Sequence, residues 1–158
     1  MASDGIVSPR VDGTVTSRSV NLDELPGWTL SLLDGARVGH LGLLDEEDLP
    51  RVLAVTFAVW EGAVWSAIDH KPKRTPEPAR VRRLRRRPEA ALMVDHYEDD
   101  WSRLAWVELR GRVSVESPGP ALDALAAKYP QYVEERPQGP LLRLAPERFT
   151  CWRAADGA

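Results

Sequence analysis

The stretch "LAWVELRGRVSVES", Leu104 to Ser117, carries the clearest period-two pattern in the chain. Ala105, Val107, Leu109, Val113 and Val115 share one face, while Trp106, Glu108, Arg110 and Arg112 share the other. Successive side chains of a strand point to opposite sides of its sheet, so the segment reads as a strand with one face on a core and one in water. Just before it, "AALMVDHY" reads as a second strand, and the acidic "EDDWSR" joins the two as a hairpin.

Toward the N-terminus, "RVGHLGLL", "RVLAVTFAVW" and "AVWSAID" are rich in β-branched and aromatic residues. They are parted by the turn-forming "DEEDLP" and "EG", which predicts a meander of three strands. A short helix is expected between Leu22 and Ala36, with an early Pro-Gly break. A second, from about Pro78 to Arg87, has only Val81 and Leu84 as an apolar seam. In the other direction Pro120 opens "PALDALAAKY", where Leu122, Leu125, Ala126 and Tyr129 fall at helical spacing and Pro130 stops the run. "PLLRLAPERFTCWRA" reads as one or two closing strands interrupted at Ala145 and Pro146. Six or seven strands with two or three helices predict a mainly β chain of the α+β class: a small antiparallel barrel with helices attached.

A chain of 158 residues is long enough to bury a sizeable core but short for two ordinary domains. Residues 1–20 lack the basic start and apolar run of a secretory signal and read as a polar, flexible leader to a single domain over 21–158. No apolar run approaches the ~18 residues of a membrane span, so a cytoplasmic location is expected. Cys151 is the one cysteine, which excludes an internal disulfide or a multi-cysteine zinc site; alternating with Trp152, it reads as a small core residue.

The net charge is -3, yet "DHKPKRTPEPARVRRLRRRP", Asp69 to Pro88, holds nine of the 21 Lys and Arg residues. Charge this local suits a small discrete anion such as a phosphate group better than a polyanion. No aromatic residue falls within 71–87 to stack on bases, which argues against a nucleic-acid module. Arg80, Arg82, Arg83, Arg85, Arg86 and Arg87 cannot all face one ligand, because successive helical residues point ~100° apart. The loop before them differs. His70, Lys71, Lys73 and Arg74, held open by Pro72 and Pro76, precede a helix N-terminus with its free N–H groups and positive dipole end, which makes an anion site.

Asp95, His96, Glu98, Asp99 and Asp100 cluster in "DHYEDDW" and read as a solvated hairpin loop, and His40, His70 and His96 show no ligand spacing, so no metal is expected.

From about Arg37 to "RFTCWRA", the pieces fall in a familiar order: a strand with "AVTF", a strand ending "SAIDHKPKR", an Arg/Leu helix, a strand ending "VDHYEDDW", then "WVELRGRV". This order resembles the split-barrel flavin and deazaflavin oxidoreductases, the pyridoxamine 5'-phosphate oxidase-like superfamily, and within it the actinobacterial branch assigned to coenzyme F420. The resemblance implies an FMN-binding-like, antiparallel split β-barrel that forms a homodimer, with a cofactor in a groove at the subunit interface. It implies that Ser66, Asp69, His70, Lys71, Lys73 and Arg74 contact the cofactor's phosphate-bearing tail, and that Val55 and Thr56 line its ring through backbone and hydroxyl groups. Arg83 is a further expected contact, although relatives often carry Asn there. His40 also departs, from a position usually small or basic. Trp101, beside the acidic loop, is expected to stack on the ring or to pack at the dimer interface.

The activity implied is hydride transfer between F420 and a small electron-poor organic substrate, with no catalytic side chain assigned, because the cofactor carries the chemistry. F420 has a phosphate and a polyglutamate tail, and the surplus of arginines after Lys71 suits it; FMN is the alternative. A non-enzymatic carrier or sensor of F420 or flavin is the rival of a different class.

Overall fold

The computed structural model describes residues 8–9, 15–17, 20–68 and 77–154, and Asp69, His70, Lys71, Lys73 and Arg74 lie outside that set. Its architecture is built around the strand that the alternation picked out. That strand, β8 (Ala105–Glu116), pairs with β7 (Glu89–His96) on one side and with β9 (Leu141–Arg153) on the other, antiparallel throughout. Val107, Leu109 and Val113 are buried, whereas Arg110 and Arg112 are exposed.

Beyond β7 lie β3 (Gly39–Leu44) and then β4 (Pro50–Val55). The turn between them is tied by the Asp45 carboxylate, which accepts the N–H groups of Glu47 and Leu49, both at 2.9 Å. On the far side, the first half of β9 pairs with β6 (Ala63–Ala67), and β6 pairs with β5 (Ala58–Trp60). Glu61 and Gly62 join these two strands with positive φ at both positions, the two-residue turn whose twist matches a hairpin. Within the leader, β1 (Ser8–Pro9) pairs with β2 (Val15–Ser17), which pairs with the second half of β9.

The expected three-stranded meander is therefore two separate hairpins. "RVLAVTFAVW" is not one strand: it breaks at Thr56–Phe57, and the chain passes from β4, hydrogen-bonded to β3, into β5, hydrogen-bonded to β6. This corner closes the ring of seven strands covalently where a flat sheet would have left two open edges. The closing segment, expected as one or two strands, is one, and the interruption at Ala145–Pro146 is a β-bulge, where the register opposite Arg110 and Gly111 shifts by one residue. A Cβ on Gly111 would stand 1.9 Å from the Ala145 carbonyl oxygen, so the bulge requires glycine there.

Three helices seal the barrel. Leu33 of α1 (Gly27–Gly35) and Val81 and Leu84 of α2 (Ala79–Arg86) enter the same core as Phe57, Leu92, Leu109 and Cys151. Cys151 is fully buried, as its alternation with Trp152 required. Leu122, Leu125 and Ala126 of α3 (Ala121–Lys128) make a second cluster with Ala58, Ala67 and Leu141. Pro130 does end α3, but it also starts α4 (Gln131–Glu134), a one-turn helix not expected from the sequence.

Candidate functional site

The described residues place the ends of the cationic segment. It leaves the barrel after β6, at the buried Ile68, and re-enters at Glu77, just before α2. Pro78 precedes α2 and provides no side-chain cap; the Val81 N–H turns back to the Pro78 carbonyl at 2.9 Å, and the N–H groups of Ala79 and Arg80 have no partner among the described residues.

Along α2 most of the charge already has protein partners. Arg83 Nε donates to both carboxylate oxygens of Glu46, at 3.0 and 2.9 Å, and this bond holds the Glu46 carboxyl below its ordinary pKa. Arg85 pairs with Glu77 at 3.0 Å, Arg86 with Asp48 at 3.0 Å and with the Asp45 carbonyl, and Arg87 lies 3.6 Å from Asp48. Arg82 donates to the Glu77 carbonyl at 2.6 Å. Among the described residues, Arg80 is the one arginine of this helix without a hydrogen bond or ion pair to another group.

The strand parity sorts the ring-side residues. Val55 and Ser66 turn their side chains into the barrel, where they line a cavity of about 20 Å³ with Leu41, Phe57, Val64 and Leu92. The Ser66 hydroxyl is buried there and meets no hydrogen-bond partner among the described residues. Only the backbone of these two residues is left to meet anything outside the barrel. Thr56, between Val55 and Phe57, points the other way, and its Oγ1 lies 2.7 Å from the Tyr132 hydroxyl. Trp101 opens a short 3-10 turn, Trp101–Arg103, capped by Asp100, and is 77% exposed. The acidic loop behind it is engaged in pairs: His96 with Glu98 at 2.6 Å, Arg103 with Glu98 at 3.1 Å, and His40 with Asp95 at 3.7 Å.

Lys128 and Tyr129, at the end of α3, were read from the sequence only as helix, and Tyr132 was not read at all. Tyr129 accepts a hydrogen bond from the Phe57 N–H at 3.0 Å, and its own hydrogen is shared between the carbonyls of Phe57, at 3.0 Å, and Arg37, at 3.1 Å. Burial pushes its pKa up, which keeps the phenol protonated. Lys128 donates to the Leu33 carbonyl at 2.8 Å and stands 3.8 Å over the Phe57 ring, and burial lowers its pKa to about 8. The available signal was "YPQY": a buried tyrosine needs a partner for its hydroxyl, and two of them flank the end of a helix here.

A roomy groove lies elsewhere. It holds about 500 Å³ on the outer face of the sheet, over Gly42 and Ala91 and beside Arg51, Val52, Arg110 and Arg148. Among the described residues, none of the expected cofactor contacts lines it.

No family model matches the chain, and no curated protein matches it by sequence. Solved structures do match. A conserved hypothetical protein from Mycobacterium tuberculosis superposes with a TM-score of 0.68 at 18% identity, covering 94% of this chain and 91% of that one. A FAD-binding protein from Mesorhizobium loti gives 0.59 at 14% identity, over 87% and 96% of the two chains. A candidate pyridoxamine 5'-phosphate oxidase from Listeria innocua gives 0.56 at 20% identity, over 80% and 96%. The chain thus has the antiparallel split-barrel fold of the pyridoxamine 5'-phosphate oxidase-like proteins. No helix among the described residues is long and apolar enough to cross a membrane.

Proposed function

We propose that this chain is a redox enzyme that holds coenzyme F420 by its phosphate-bearing tail and works on a small electron-poor organic substrate. The observation that carries the reading is where the described ends of the cationic segment lie: the chain leaves the barrel at the buried Ile68 and returns at Glu77, ahead of an α2 N-terminus with no side-chain cap from Pro78. A helix end without a side-chain cap, preceded in sequence by Lys71, Lys73 and Arg74, offers amide donors, a positive dipole and cationic side chains to one phosphate. The residues fit such a group. The bound ring would supply hydride transfer, and the protein positions it and binds its charge. Thr56 offers a hydroxyl on the outer side of the barrel corner, and the backbone of Val55 flanks it. The proposed assembly is a homodimer with the ring at the subunit interface, where Trp101 is free to pack. The FAD-binding and candidate oxidase neighbours support a flavin-type cofactor on this fold.

FMN is the second reading, and one observation favours it. The arginines that suited a long polyanionic tail are mostly paired with Glu46, Asp48 and Glu77. Separate titrations of the full chain with F420 and FMN, followed by tryptophan quenching, decide between the two. Replacing Lys71, Lys73 and Arg74 together with Ala is expected to weaken binding at least tenfold and to flatten its salt dependence. Unchanged affinity in that variant would remove the cationic segment from the site.

A further inference from the structure

The elbow between α3 and α4 holds two successive residues at the barrel corner. Phe57 leaves the β3–β4 ladder before it can join the β5–β6 ladder, so its buried N–H and C=O have no strand to pair with, and the Tyr129 hydroxyl takes both. Three residues on, the Tyr132 hydroxyl meets Thr56 Oγ1 at 2.7 Å. The two rings pack against each other at 5.6 Å between centroids, which ties one hydroxyl's position to the other's. Lys128 and Arg37 close over the same corner: the Lys128 ammonium lies on the Phe57 ring, and Arg37 donates to the Lys128 carbonyl.

We infer that the Tyr129–Tyr132 elbow is the positioning element of the ring site, an inference that rests on Thr56 facing the cofactor ring. Tyr129 sets the backbone of the corner. Tyr132 occupies one hydrogen-bonding direction of the Thr56 hydroxyl and so fixes where its remaining capacity points. A threonine hydroxyl has one donor and two acceptor directions, and left alone it rotates freely. Held by Tyr132, it can address a ring heteroatom only through the directions that bond leaves open. Both tyrosines act through Thr56 and Phe57 and are positioning residues.

The test uses the full chain as wild type, Tyr132→Phe, Thr56→Val, the double variant and Tyr129→Phe. Each is titrated with F420 and with FMN, reading affinity, the visible absorption band of the bound chromophore, and thermal stability. Tyr132→Phe and Thr56→Val are each expected to weaken binding about fivefold and to shift the bound band alike, and the double variant should be no weaker than Thr56→Val alone. Tyr129→Phe should speed amide exchange at Phe57; should it fail to fold, the Tyr132 and Thr56 variants still decide. Wild-type binding that Tyr132→Phe leaves unchanged in affinity and band would overturn the elbow's role while leaving the proposed function standing. A wild type that binds neither chromophore would overturn the proposed function and this inference with it.

Discussion

Replacing Gly111 with Ala should damage the molecule more than its small size suggests, and the structure says by how much. The new methyl carbon would lie 1.9 Å from the Ala145 carbonyl oxygen, 2.9 Å from its carbon and 3.0 Å from Pro146 Cα. All three atoms are backbone, so no rotamer change can make room, and β9 would have to retreat by about 1 Å from the strand with which it shares its full length. Overpacking against a fixed backbone costs about 3 kcal/mol, at the upper end for a single added carbon. For a chain of this size that is a fall in Tm of ~6–12 °C. Gly42→Ala is the control. Its nearest neighbour, the Ala91 carbonyl oxygen, would be 3.7 Å away, so it should be neutral or slightly stabilising through the lost freedom of the unfolded chain. Thermal and urea unfolding followed by circular dichroism and tryptophan fluorescence measures both. A Gly111→Ala protein melting within about 2 °C of wild type would refute the bulge as the reason for glycine.

Two further outcomes come from groups inside the barrel and at its corner. Ser66→Ala removes a buried hydroxyl without a partner, so stability should hold or rise by about 1 kcal/mol and F420 or FMN affinity should not change; a loss above that size would mean the hydroxyl is bonded. Lys128 makes stability depend on pH. Its folded pKa of about 8 lies below the ordinary 10.5, so between those values the unfolded chain binds more protons and stability increases with pH. The raised pKa of Tyr129 opposes this above its ordinary value of 10.0, which leaves roughly pH 8 to 10 as the window. Discounted for partial solvent exposure, the gain is on the order of 1 kcal/mol, and it should vanish in Lys128→Met; a fall in wild-type stability over that window would contradict the sign.

The strands were legible because their burial follows from local alternation. Val107, Leu109 and Val113 are inside and Arg110 and Arg112 outside, as period two required. The helix seam of Val81 and Leu84 was legible for the same reason. What local pattern could not show was pairing. "RVLAVTFAVW" is continuously apolar, and nothing within it marks the corner at Thr56–Phe57; the groups that stabilise that corner, Tyr129 and Tyr132, lie more than 70 residues downstream. The bulge was half legible. Pro146 announced an irregularity, but only the register with Gly111 shows that the strand continues through it.

The charge of α2 was legible in amount but not in destination. Read along the chain, six arginines in eight positions look like a surplus awaiting a long anion. In the fold, the turn between β3 and β4 brings Asp45, Glu46 and Asp48 against that helix, and the acids meet Arg83, Arg86 and Arg87. Arg83 is largely shielded on this contact, with its side chain 16% exposed. An arginine already paired with a carboxylate has part of its charge and donor capacity answered, so it offers a ligand less than a free one would. Among the described residues the helix's unpaired arginine is Arg80, at its start, and the proposed contacts Lys71, Lys73 and Arg74 precede it in sequence. That is enough for one phosphate group. A tail of several carboxylates would have to run along the helix and compete with Glu46 and Asp48, so F420 species of increasing tail length should gain little affinity over one another at this site.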